Sequence, residues 1–139
     1  MANGYGIDLG SLRTIICSDK SIVLDEHSAI SYQTYTNELI AAGTDAYKMI
    51  GRTPDSITAV RPISEGVIAD YDMAQNMLAA FISEVAGNNL LKARLMVSVP
   101  SGITTMQRRS LINAFVEAGA RDVCTLEGPV AAAIGLGLD

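Results

Sequence analysis

Three residue types that can hold a phosphate stand together near the start of the chain, in Gly6-Ile7-Asp8-Leu9-Gly10-Ser11. Asp8 can hold a Mg²⁺ through water. Gly10 lets backbone approach an oxyanion, and Ser11 with the amides that follow it, those of Leu12 and Arg13, can donate to that oxyanion. Taken alone the motif is weak, since an acidic residue, a glycine and a hydroxyl in a hairpin are commonly only a turn. No second chemistry competes with it. Cys17 and Cys124 lie in apolar runs without a CxxC spacing or a nearby histidine, and they read as buried free thiols in a reducing compartment. His27 is the single histidine and has no partners for a metal site. The formal net charge is -5, which lacks the basic footprint that nucleic acid requires, so nucleic acid is excluded as a partner.

The elements that must position this loop follow from pattern. Tyr5–Leu9 is a short apolar strand, and Thr14–Ser18 and Ser21–Leu24 are β-branched runs with Asp19-Lys20 as their turn. Ser28–Thr34 alternates and reads as a further strand, giving an antiparallel meander. The pattern weakens between Asn37 and Asp70, where Ala46–Ile50 reads as a short helix stopped by Gly51 and Pro54, and Ile57–Val60 as a strand. Asp72 is expected to cap a helix whose stripe is Met73, Met77, Leu78, Phe81, Ile82 and Val85, ended by Gly87-Asn88-Asn89. Leu95–Val99 is a continuous apolar run, which predicts a strand buried on both faces. Thr104 and Gln107 form a capping box for a helix that buries Leu111, Ala114, Phe115 and Ala118 and stops at Gly119. Arg121–Leu126 is a strand, and Pro129 opens a last helix over Val130–Leu136. A meander followed by helix, strand, helix, strand, helix predicts an α/β fold: a mixed sheet with helices packed on it.

Asp8-Leu9-Gly10-Ser11 resembles the first phosphate loop of the actin and heat-shock chaperone ATPase superfamily. The segments Lys48-Met49-Ile50-Gly51-Arg52-Thr53-Pro54, Arg61-Pro62, Glu65-Gly66-Val67-Ile68-Ala69-Asp70-Tyr71 and Val99-Pro100-Ser101-Gly102-Ile103-Thr104 narrow the resemblance to the bacterial rod-shape actins, the MreB family. Gln107-Arg108-Arg109, Ala118-Gly119-Ala120 and Pro129-Val130-Ala131-Ala132-Ala133-Ile134-Gly135 extend it to the end of the chain. The resemblance implies an actin-like, ribonuclease H-like fold. Residues 1–34 and 72–139 would form the large subdomain, residues 35–71 a smaller inserted one, and the second half of the fold is absent. It implies ATP and Mg²⁺ as cofactors of the complete protein. It also implies a homopolymeric filament that organises cell-wall synthesis, in the cytoplasm and peripherally at the inner face of the membrane.

The residues carry that resemblance unevenly. Glu127-Gly128-Pro129 puts glycine where the family's water-positioning carboxylate directly precedes proline, and Glu127 stands one residue off. Glu127 is therefore a weak catalytic candidate and reads better as a charge near a helix N-terminus. A missing positioner slows hydrolysis, since such groups contribute ~10²–10⁴-fold. Arg13 has two equal readings, a cation beside the phosphates or a surface residue of an edge hairpin. His27 stands where the family usually has proline and reads as a structural substitution. Leu90 and Leu91, flanked by Lys92 and Arg94, match an apolar pair that many family members dip into lipid; the other reading is that they begin the next strand or cap the preceding helix. The family's second Gly-rich phosphate loop and adenine pocket are not in the chain, so the chain alone is expected to bind ATP poorly and not to hydrolyse it. Two functions remain: a polymer subunit that uses ATP, or a non-hydrolysing actin-like scaffold or adaptor. A chaperone-type ATPase is disfavoured by the Met49–Pro54 segment.

Overall fold

The computed structural model describes residues 4–18, 21–86 and 94–128. Its main sheet runs in the order β10-β9-β1-β2-β3. β1 (Gly4–Leu9), β2 (Arg13–Cys17) and β3 (Ile22–His27) form an antiparallel meander. β9 (Arg94–Val99) and β10 (Asp122–Glu127) add in parallel on the other side of β1. Parallel neighbours need crossovers, and helices supply them. α2 (Tyr71–Ala86) precedes β9, and α3 (Thr105–Glu117) joins β9 to β10.

Both helices cover one face of this sheet, and the strand period of two decides which residues meet them. Ile7, Leu9, Ile16, Leu24, Leu95, Val97 and Val99 point into the core, against Met77, Leu78, Phe81 and Ile82 of α2 and Leu111, Ala114 and Phe115 of α3. Phe81 and Phe115 are essentially fully buried, each contributing about 1.5–3 kcal/mol of hydrophobic stabilisation. The other face carries Gly4, Gly6, Asp8, Arg94, Met96, Ser98, Asp122, Cys124 and Leu126, and among the described residues no helix packs on it.

That one-sided cover corrects two expectations. β9 is not buried on both faces: its residues alternate, with Leu95, Val97 and Val99 buried and Arg94 and Met96 exposed. Its apolar run arose because Met96 stands on the open face. Cys17 and Cys124 are exposed on that same face rather than buried, since both fall on the strand parity of Gly6 and Met96.

The segment that looked irregular builds a second sheet. β4 (Ile30–Gln33) pairs antiparallel with β5 (Leu39–Ala42) on one side and β6 (Ile57–Val60) on the other. β4 therefore leaves the meander instead of extending it. α1 (Thr44–Met49) lies against this sheet, and its first amide, that of Thr44, donates to Glu26 Oε1 at 2.9 Å. β7 (Ile63–Ser64) and β8 (Val67–Ile68) make a small hairpin that returns the chain to α2.

Local signals at helix ends were mostly right. Thr104 and Gln107 form the reciprocal capping box. At α2 the cap is Asp70 rather than Asp72, because Asp70 Oδ1 accepts from the Met73 amide at 3.2 Å; Asp72 lies inside the first turn. The Asp19-Lys20 turn, the Gly87–Asn89 stop and the helix over Val130–Leu136 fall outside the described residues.

Candidate functional site

The turn between β1 and β2 is tight because Gly10 N donates to Arg13 O at 2.9 Å. A Cβ on Gly10 would sit 2.8 Å from that same carbonyl oxygen, closer than real Cβ atoms approach, so the glycine is required by steric contact. The amides of Ser11 and Leu12 make no hydrogen bond to other described residues. Two adjacent amides without a partner among the described residues, at a strand end, are groups that can donate to an anion.

Beneath the turn lie two hydroxyls absent from the sequence reading. Ser28 and Thr14 are both fully buried. Ser28 Oγ donates to Gly10 O at 2.7 Å, and its amide donates to Leu12 O at 2.9 Å. Thr14 Oγ1 and Ser28 Oγ are 2.8 Å apart. A hydroxyl has one hydrogen, and that of Ser28 is committed to Gly10, so Thr14 is the donor of the pair. The carbonyls of Gly10 and Leu12 are thereby held from one side. The adjacency of Gly10 and Ser28 was hidden because they are 18 residues apart and lie in turns that follow different strands.

The remaining predicted residues divide over the two sides of the sheet. Asp8 is exposed, paired in register with Ser98, whose hydroxyl donates to Asp8 Oδ1 at 3.2 Å. The second carboxylate oxygen makes no bond to a described residue, and an exposed carboxylate of this kind suits a Mg²⁺ held through water. Ser11 Oγ lies 3.4 Å from the Gly66 amide, in the β7–β8 turn. Gly66 has φ 79° and presses on Pro100, whose Cγ would lie 2.6 Å from an added Cβ. The loop thus sits beside the carboxyl ends of β1 and β9, the usual ligand position in sheets with parallel strands. Leu12 is 61% exposed and offers its amide rather than its side chain. The Arg13 guanidinium pairs with Asp25 on β3, Nη2 to Oδ1 at 2.7 Å, with both side chains nearly half exposed.

Glu127 ends β10 and is exposed. It pairs in register with Val99, whereas Leu126 pairs with Ser98 and Ser98 with Asp8. Glu127 therefore lies on the helix-covered face and Asp8 on the open one. Among the described residues a side chain at Gly128 has room, since its Cβ would find only Val99 O at 3.7 Å. Leu90, Leu91 and Lys92 lie outside the described residues. Arg94, the other half of that basic flank, is held 3.4 Å from Asp122.

A mixed sheet with this order, helices on one face, a second smaller sheet and a glycine turn at the carboxyl end of the first strand define an actin-like fold. The double-helical filament protein MamK shares it, with TM-score 0.75 over 96% of this chain and 43% of that one, at 17% identity. MreB5 of Spiroplasma citri, solved bound to ADP, superposes with TM-score 0.85 over 98% of this chain and 41% of that one, at 34% identity. The chain belongs to the MreB/Mbl family, whose sequence model, described as MreB/Mbl protein, it matches over residues 2–139. The cell shape-determining protein MreB of Pasteurella multocida (strain Pm70) is 41% identical over 96% of the chain. The corresponding protein Mbl of Bacillus subtilis (strain 168) is 36% identical over 99% of it. The chain spans about 40% of the length of these relatives.

Proposed function

We propose that this chain is the phosphate-loop part of an ATP-binding, filament-forming cytoskeletal protein that acts in cell shape and cell-wall organisation. The observation that carries this is the Gly10–Arg13 turn, pinned by Ser28 and Thr14, with the Ser11 and Leu12 amides unpartnered among the described residues. It occurs in a chain of a family in which MreB5 has been solved bound to ADP and to AMPPNP. In this reading the amides of Ser11, Leu12 and Arg13 hold phosphate oxygens, Gly10 gives them access, and Asp8 holds Mg²⁺ through water. Arg13 contributes its backbone, its cation being spent on Asp25. Residues 1–34 and 72–139 form the larger subdomain and residues 35–71 the inserted smaller one. β4 hands the chain from one to the other. The protein is cytoplasmic and polymerises with itself, and Leu90 and Leu91 bring the polymer to the inner membrane face. No described helix is long and apolar enough to cross a membrane.

Hydrolysis is slow or absent in a second reading, favoured by Gly128 together with the opposite-face position of Glu127. The protein is then a nucleotide-bound scaffold. Binding of a fluorescent ATP analogue to the complete protein tests the common core of both. Asp8→Ala should weaken Mg²⁺-dependent affinity by about tenfold or more, the loss of one charged contact. Equal affinity with and without Mg²⁺ in both proteins would reject Asp8 as the metal-holding group.

A further inference from the structure

Lys48, Arg52 and Arg61 converge, with Tyr47 and Ile50, on a pocket of about 270 Å³ beside the second sheet. They come from two places in the chain. Lys48 lies in the last turn of α1, and Gly51 at φ 77° reverses the backbone before Arg52. Arg61 leaves the end of β6 just ahead of the buried Pro62. The Arg61 guanidinium carbon lies 5.2 Å from the centroid of the Tyr47 ring. Tyr47 is itself stacked on His27, with centroids 3.9 Å apart and planes within 4°. The stack holds the phenol and one cation in place before a ligand arrives, which lowers the ordering cost of binding.

None of the three cations joins an ion pair among the described residues. The whole chain has 15 acidic and 10 basic residues, so carboxylates are plentiful, yet three of the ten cations line one pocket without them. Like charges brought together repel unless an anion joins them.

We propose that this pocket is an oxyanion site that takes a phosphate group, free or on a lipid headgroup. A lone carboxylate would leave most of the positive charge unmatched, whereas a phosphate monoester carries about -1.5 to -2 at neutral pH. Arginine forks match phosphate oxygens in pairs, and Tyr47 supplies a hydroxyl donor. The site is separate from the Gly10–Arg13 turn, none of whose residues lines it, and it does not depend on the nucleotide reading.

Calorimetric titration of the nucleotide-free protein with pyrophosphate tests the proposal. Part of the saturable binding should persist in the complete protein once excess ADP fills the Gly10–Arg13 turn. It should fall about tenfold in Arg52→Gln and in Arg61→Gln, each losing a charge-assisted contact, and vanish in the double variant. Both arginines are exposed, and circular dichroism checks that the fold is kept. Flotation with vesicles of phosphatidic acid in phosphatidylcholine distinguishes the sources. Capture that the double variant loses identifies a lipid phosphate; pyrophosphate binding without capture identifies a soluble one. The proposal is overturned by pyrophosphate binding that the double variant retains with ADP present. It is equally overturned by no saturable binding up to about 10 mM, beyond the weakest useful affinity, with no vesicle capture.

Discussion

Replacing Ser28 with alanine should destabilise the protein far more than a serine-to-alanine change usually does. Ser28 Oγ donates to Gly10 O and stands 2.8 Å from Thr14 Oγ1. Both Ser28 and Thr14 are inaccessible to water. Ser28→Ala strands the Thr14 hydroxyl and removes the only side-chain donor on the Gly10 carbonyl among the described residues. An unsatisfied buried polar group costs about 1–3 kcal/mol, so the two together should cost about 2–4 kcal/mol. Thr14→Val is different in kind. If Thr14 is the donor, its loss leaves Ser28 with its bond to Gly10 intact, and the cost falls to about 1 kcal/mol. The double variant removes both hydroxyls, so it should be less destabilised than the sum of the singles by about 1 kcal/mol or more. Urea denaturation of the four proteins completes the cycle. A Ser28→Ala cost below about 0.5 kcal/mol, the range of ordinary surface changes, would refute the claim that the turn is held from beneath. A Thr14→Val cost as large as that of Ser28→Ala would refute the assigned donor direction. In the complete protein the same Ser28→Ala change should weaken nucleotide binding, because the Ser11 and Leu12 amides lose their support.

Gly10→Ala places a Cβ 2.8 Å from the Arg13 carbonyl, and since backbone cannot swing away, thermal denaturation should show a loss of about 1–3 kcal/mol together with loss of nucleotide binding in the complete protein. Thr104→Ala removes the acceptor for the Gln107 amide and should cost about 1 kcal/mol without touching the β1–β2 turn, so nucleotide affinity should not change. Gly128→Glu has room beside Val99 O and should raise ATP turnover of the complete protein by about tenfold or more; phosphate release at saturating ATP measures it, and unchanged turnover would mean another group positions the water.

How far the sequence foretold the fold depended on how local each signal was. Thr104 and Gln107 announce their capping box across three residues, and Met73, Met77, Leu78, Phe81 and Ile82 announce one helix face; both are present. Of the second sheet, β4 within Ser28–Thr34 and β6 over Ile57–Val60 were legible as strands, whereas β5 and the pairing of the three were missed because the strands are short, four residues each. Such strands carry barely two periods of alternation, and pairing partners such as Ile30 and Val60 are too distant for pattern to connect. β9 misled for a related reason. Leu95-Met96-Val97 is apolar at every position, so alternation could not reveal that Met96 faces outward. The cysteines followed the same error, being judged by the apolar neighbours they have in sequence rather than by the parity of their strand.

In the site, adjacency was legible and support was not. Asp8, Gly10 and Ser11 stand out because a turn is built from neighbours in the chain, whereas Ser28 looks like any serine. The departure at Glu127 was legible for a physical reason. A strand alternates every residue, so displacing a carboxylate by one position does not shift it slightly; it moves it to the opposite face. The register bears this out through a chain of pairs: Asp8 with Ser98 and Ser98 with Leu126 on one face, Val99 with Glu127 on the other. Sliding Glu127 toward the phosphate loop would require breaking the β9–β10 ladder, whereas Gly128 lies just past the end of β10, so a carboxylate introduced there disturbs no pair. That asymmetry is why Gly128→Glu, and no rotamer change of Glu127, is the substitution expected to restore a water-positioning group.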